Sequence, residues 1–247
     1  MSKLCVYTIM FRHNCHSYST GCEKRDIVFI IDSSGSVKDT NPPDGSYDNW
    51  RLLLQFVSDI VYRLPIGTDA TRVGLIRFST TASSLIYLNS YMDKKTLQEE
   101  IMKVAYADGQ TNTAAALKML YEQQFQSSKG DRVPVQNIAV VITDGDPSIT
   151  DNPLHDAGEI VQQNNIITYA IGISSRVSDI TLQRIVSTAG TNRYWRTDNF
   201  VTLHTLLDTL VTSGCQSGPV KDVQPGESSV DSTGKHRHSR RWFNDRY

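Results

Sequence analysis

Ile27-Val28-Phe29-Ile30-Ile31 is an unbroken apolar run, mostly β-branched, that stops on Asp32-Ser33-Ser34-Gly35-Ser36. The charged stretch Glu23 to Asp26 precedes it. An apolar run bounded by charge on one side and a Ser/Gly turn on the other reads as a buried strand. In open α/β sheets, ligands gather just past the carboxyl ends of the strands. Asp32, Ser34 and Ser36 therefore put one carboxylate and two hydroxyls on a ligand-binding edge. Hard oxygens of this kind suit Mg²⁺, Mn²⁺ or Ca²⁺ rather than Zn²⁺ or copper.

A second oxygen set lies far along the chain. Asn137-Ile138-Ala139-Val140-Val141-Ile142 repeats the buried-strand pattern and also ends on an acid, in Thr143-Asp144-Gly145. Between the two, Asp108-Gly109-Gln110-Thr111-Asn112-Thr113 opens a helix expected from Ala114 to Gln126. Two strand ends and one helix start can converge on a point in a parallel sheet. Two carboxylates and three hydroxyls would then surround one hard cation.

The rest of the chain alternates in the same way. Trp50, Leu53, Leu54, Val57, Ile60, Val61 and Leu64 mark one face of a helix from about Tyr47 to Leu64, which Pro65 and Gly67 end. Strands are predicted over Arg72 to Phe78 and Ser84 to Leu88, joined as a hairpin, then a helix near Asp93 to Val104. After Asp144 the pattern predicts a helix (Pro153 to Asn164) and a strand (Ile166 to Ile173). A short helix (Ser178 to Ser187), a short strand (Tyr194 to Arg196) and a last helix (Val201 to Thr212) follow. The fold class is α/β: a doubly wound, mostly parallel central sheet with one antiparallel edge strand and helices on both faces.

A D-x-S-x-S after the first strand, a G-x-T-x-T before a helix and a strand ending in T-D-G together resemble the von Willebrand factor type A domain, whose fold integrin I domains share. The resemblance covers about Asp26 to Ser213. Its one departure is Gln110, where many members carry a second Gly. It implies a Rossmann-like fold and a metal-ion-dependent adhesion site built from Asp32, Ser34, Ser36, Thr111 and Asp144. It also implies how that site works: the two serines bind the metal directly, Thr111 directly or through water, and Asp32 and Asp144 mostly through water. Mg²⁺ or Mn²⁺ is the implied ion, with Ca²⁺ admitted. An ion held mainly by neutral oxygens keeps its positive charge and attracts a carboxylate from a partner. Asp39 and Asp146 are expected on the rim, where they tune the ligand's charge.

The implied function is a divalent-cation-dependent adhesion module of an extracellular-matrix-type protein, not an enzyme. The partner is a matrix or cell-surface protein presenting Glu or Asp, collagen among the candidates. An intracellular scaffold with the same domain is the alternative. A magnesium-dependent phosphotransfer enzyme with Asp32 as nucleophile fits less well. Such enzymes usually carry a second acid two residues on, and position 34 is Ser. No phosphate-cradling G-x-x-x-x-G-K-[ST] occurs either.

The chain has 247 residues, enough for one sizeable core with tails. Its formal net charge of −1 predicts no nucleic-acid partner, and no apolar stretch is long enough to span a membrane. Residues 1–22 form an N-terminal segment whose Leu4 to Phe11 can act as the core of a secretory signal peptide. The domain is expected over residues 23–215. Cys22 and Cys215 bracket it and are expected to pair, which implies an oxidising, secreted location; four reduced thiols, Cys5 and Cys15 included, are the alternative. Residues 216–247 read as a disordered tail. It ends in the basic run Lys235 to Arg241, a candidate contact for sulfated glycans or acidic surfaces, followed by Trp242. Trp50 and Trp195 are expected to pack. His13, His16, His155 and His204 show no ligand spacing.

Overall fold

The first buried run forms β1 (Arg25–Asp32), in which every residue after Arg25 is buried. The computed structural model describes residues 24–149, 153–187 and 193–215. The remaining elements are α1 (Gly35–Asp39), α2 (Asn49–Arg63), β2 (Arg72–Phe78), β3 (Ala82–Ile86), α3 (Lys94–Met102), α4 (Thr113–Met119), β4 (Gln136–Thr143), α5 (Leu154–Gln163), β5 (Ile167–Ile173), α6 (Asp179–Val186), β6 (Tyr194–Thr197) and α7 (Leu207–Cys215). Cys22 and the basic tail lie outside the described residues, as does the side chain of Cys215. The expected Cys22–Cys215 pairing therefore falls there too.

The strands form one sheet in the order β3-β2-β1-β4-β5-β6. Every neighbouring pair is parallel except β2 and β3. This is the doubly wound sheet with one antiparallel edge strand that the sequence predicts. Strand alternation splits the core into two layers. Ile27, Phe29 and Ile31 pack with Leu53 and Val57 of α2, Leu97 and Ile101 of α3, and Leu207 and Leu210 of α7. Val28 and Ile30 point the other way, onto Leu117 of α4, Val161 of α5 and Leu182 and Ile185 of α6. A β1 exposed on neither face must be apolar at consecutive positions, which is why its sequence shows no alternation.

Helix starts are secured locally. Asp48 accepts from Trp50 N at 2.9 Å and Asp93 accepts from Thr96 N at 2.8 Å. Such caps each contribute about 1 kcal/mol. Trp50 is buried and donates its indole N–H to Val104 O, and Trp195 stacks on Tyr169, so both pack as expected.

Three elements differ from the sequence reading. The Ser/Gly turn contains the short helix α1. The helix expected to Gln126 stops at Met119 and widens into a π-turn over Leu120–Gln124, which sets Gln124 inward to donate to Ile86 O. The last helix begins as a 3₁₀ segment, Phe200–Leu206, and turns α-helical only at Leu207. Phe200, Leu203 and Leu206 all meet the core. A strict spacing of three suits three residues per turn better than 3.6.

β1 and β4 stand side by side, and the order reverses between them: the chain runs outward through β2 and β3 on one side and through β5 and β6 on the other. That switch point is where doubly wound sheets open a crevice at their carboxyl edge.

Candidate metal centre

The ends of β1 and β4 bring the two predicted acids together. Ile31 pairs with Ile142 in register, so Asp32 stands beside Thr143, and the Thr143 hydroxyl donates to Asp32 Oδ2 at 2.6 Å. The loop after β1 folds back on itself, with Ser34 N donating to Asp32 Oδ1 at 2.8 Å. Ser34 Oγ and Ser36 Oγ lie 3.1 Å apart, and Ser36 Oγ donates to Asp144 Oδ1 at 2.7 Å. Asp32, Ser34, Ser36 and Asp144 thus form one connected set. Asp32, Ser34 and Asp144 are buried, and Ser36 is half-buried.

Thr111 arrives on a separate loop. Gly35 N donates to Gly109 O at 2.9 Å, and a Cβ on Gly35 would sit 3.2 Å from Asp108 Oδ1. Gly109 has φ +109°, and a Cβ there would meet Thr80 Oγ1 at 2.5 Å. Both glycines let the two loops touch. Ser148 holds Thr111 from the β4 side: Thr111 N donates to Ser148 Oγ at 2.9 Å and Ser148 N donates to Thr111 O at 3.1 Å. Thr111 is buried beside the site. Among the described residues its hydroxyl makes no hydrogen bond to the other four. Gln110 only donates its amide N–H to Thr80 Oγ1, so the departure at that position leaves Thr111 in place.

Burial, then the nearby Asp144 charge, pushes the Asp32 carboxyl up to about 7, against the Thr143 hydroxyl and the Ser34 amide. Burial also raises Asp144, opposed by the Ser36 hydroxyl and the Arg176 charge. Neither acid forms a salt bridge among the described residues. The opposite end of β1 shows the contrast. Asp26 is equally buried there, but Arg132 Nη2 meets its Oδ1 at 2.7 Å and Arg132 N donates to Oδ2 at 2.9 Å. At the site end the two acids meet only hydroxyl and amide hydrogen bonds among the described residues, and the Arg176 charge acts on Asp144 without a salt bridge.

Among the described residues no three His, Cys, Asp or Glu side chains cluster at metal-binding spacing. The donor set here is two carboxylates with hydroxyls, all hard oxygens, and it fits a hard divalent cation. Buried carboxylates without a salt bridge are costly, and a bound cation would offset that cost.

Sequence reasoning missed Ser148, Thr143 as a partner of Asp32, and Tyr106, whose hydroxyl donates to Ser34 O at 2.7 Å. Asp146, expected as a rim acid, accepts from Ser178 N and Oγ at the start of α6. Asp39 ends α1 and stands near Gly35. His155 pairs with Glu159 along α5, and His204 Nδ1 meets Val201 O. Neither has a hydrogen bond to a site residue among the described residues.

The family model of the von Willebrand factor type A domain matches residues 26–209. The chain belongs to this family. Within it, this von Willebrand factor type A domain is 31% identical over 208 residues to the transmembrane cell adhesion receptor mua-3 of Caenorhabditis elegans, covering 83% of this chain and 5% of the receptor. It is 29% identical over 191 residues to matrilin-1 of Homo sapiens, covering 77% of this chain and 36% of matrilin-1. The chain therefore spans about a third or less of these relatives. The same fold appears in proximal thread matrix protein 1 from the mussel byssus, with a TM-score of 0.72 and 24% identity over 78% of this chain and 48% of that one. That protein has also been solved with zinc in its MIDAS, the metal-ion-dependent adhesion site.

Proposed function

We propose that this von Willebrand factor type A domain is a divalent-cation-dependent adhesion module of a secreted, extracellular-matrix-type protein. Asp32, Ser34, Ser36, Thr111 and Asp144 would hold Mg²⁺ or Mn²⁺, with Ca²⁺ also admitted by the oxygen donors. When bound, the ion supplies a Lewis-acidic position for a carboxylate from a partner.

The chain's own residues prepare that position. Thr143 and the Ser34 amide orient the Asp32 carboxylate. Ser36 links the β1 loop to Asp144. Tyr106 fixes the Ser34 peptide from the side. Two acids balance the ion, while neutral hydroxyls keep it electrophilic toward an incoming Glu or Asp. The observation that carries the reading is the pair of buried carboxylates, Asp32 and Asp144, joined through two serines and with no salt bridge to either among the described residues. The adhesion-receptor and thread-matrix names of relatives sharing this domain support the extracellular setting. The expected Cys22–Cys215 bridge and the domain limits 23–215 belong to the same proposal.

Isothermal calorimetry tests it. The wild type should bind Mg²⁺ and Mn²⁺ saturably, with Zn²⁺ as a comparison, and Asp32→Ala should bind none. An acidic collagen-like peptide should bind only with the metal present. A well-folded wild type that binds no cation would reject the proposal.

A further inference from the structure

Beside Asp144 lies a groove of about 160 Å³, open to solvent. Three loops form it. Thr40 and Tyr47 come from the stretch between α1 and α2, Arg176 from the loop after β5, and Asp198 from the loop after β6. Asn49, buried where it lines the groove, donates its Nδ2 to Val37 O and to Thr40 Oγ1, both at 2.9 Å. Tyr47 offers an apolar wall, 39% exposed. Asp144 itself lines the inner end, so the groove runs into the candidate metal centre.

Arg176 is the one basic residue lining the groove. It is exposed. Its backbone N–H is held by Ser174 Oγ at 3.2 Å, and Ser174 Oγ in turn donates to Asp144 O at 3.4 Å. The guanidinium makes no hydrogen bond or salt bridge among the described residues. Asp198 shares the groove and does not pair with it. By contrast, Arg196, one strand away, is taken up by Asp179 and by the Ser174 and Val177 carbonyls. A guanidinium whose charge is felt at Asp144 but whose N–H groups are uncommitted, anchored through its own backbone beside a site for one carboxylate, is placed to read a second one.

We infer that Arg176 is a specificity residue that binds a second acidic side chain of the partner, close in sequence to the acid that meets the cation. The partner segment then carries two carboxylates, one for the ion and one for the groove. Asp198 repels the second acid and keeps the preference moderate. This rests on the cation reading above.

The test uses the full chain with Mn²⁺ and fluorescent Gly/Pro-rich peptides. One peptide carries a single Glu; the others add a second Glu one, two or three residues away. Anisotropy should show at least one two-acid peptide binding about tenfold tighter than the one-acid peptide, as a charge-assisted contact allows. The ratio should fall to about one in Arg176→Ala and rise in Asp198→Asn. Thermal melts of both variants check folding. Equal Mn²⁺-dependent binding of all peptides, unaltered in ratio by Arg176→Ala, would overturn the role of Arg176 and leave the cation reading standing. No Mn²⁺-dependent binding of any peptide, in protein that binds the metal, would overturn the carboxylate-capture reading and this inference together.

Discussion

Ser36 and Asp144 are separated by 108 residues of chain, yet the Ser36 hydroxyl donates to Asp144 Oδ1 at 2.7 Å. That one bond ties the loop after β1 to the end of β4 across the switch point. Removing it with Ser36→Ala should lower Mn²⁺ affinity at least about tenfold, since even groups that only orient a metal ligand contribute that much. Calorimetric titration of the folded variant measures it.

The buried pair sets a pH dependence in metal-free protein. The folded Asp32 carboxyl is raised from 3.8 to about 7, so it holds its proton where the unfolded chain has released one. Stability contributed by the neutral acid is full below about pH 4 and is lost as pH rises through 7. At 1.36 kcal/mol per unit the loss is about 4 kcal/mol at most. Urea unfolding in a chelator should give a lower midpoint at pH 8 than at pH 5. Asp32→Asn should flatten this dependence.

Adding cation should reverse that loss. A ligand that binds only the folded chain stabilises it by about 2.7 kcal/mol at one hundred times its Kd. Thermal melts at pH 8 should rise with Mg²⁺ or Mn²⁺ in the wild type and stay fixed in Asp144→Ala.

Gly109 is expected to be intolerant. With φ +109° and Thr80 Oγ1 2.5 Å from any added Cβ, Gly109→Ala must move the loop that carries Thr111. It should cost more than about 1 kcal/mol and weaken metal binding as well. Gly45 also has a positive φ, +67°, but nothing lies within 4 Å of its added Cβ. Gly45→Ala should show a backbone penalty alone, with metal affinity kept. Chemical denaturation and metal titration of the two variants separate the effects.

At the other end of β1, Arg132→Ala should destabilise by about 3–5 kcal/mol, because it strands the buried Asp26 charge. Arg132→Lys should recover only part, since Arg132 also reaches Thr68 O, Arg25 O and Ala70 O. Denaturant midpoints decide this.

The parts legible in the sequence are those where one pattern has one physical reading. The run Ile27 to Ile31 has to be buried on both faces, and it is. The seven apolar positions from Trp50 to Leu64 describe one helical stripe; α2 buries six of them and its C-cap Leu64 is buried too. Acids at the ends of two such strands are brought together by the parallel order of the sheet. The π-turn at Leu120–Gln124 was hidden because Leu117 and Leu120 suit an ordinary helix equally well. Arg132 and Arg176 look alike as surface charges in the sequence. Only the folded chain shows that one neutralises Asp26 while the other stands unpaired beside Asp144.

The two ends of β1 thus answer to different demands. The Asp26–Arg132 clamp sits among backbone carbonyls from several segments, so a change there disturbs the whole lower rim of the sheet. The upper rim is made of loops: residues 40–48, 174–178 and 198–199. Apart from Val177, these carry little of the core. New side chains can be tried on them at small cost to folding, while the oxygens below stay fixed. A domain built this way separates the residues that would grip a partner from those that hold the fold together.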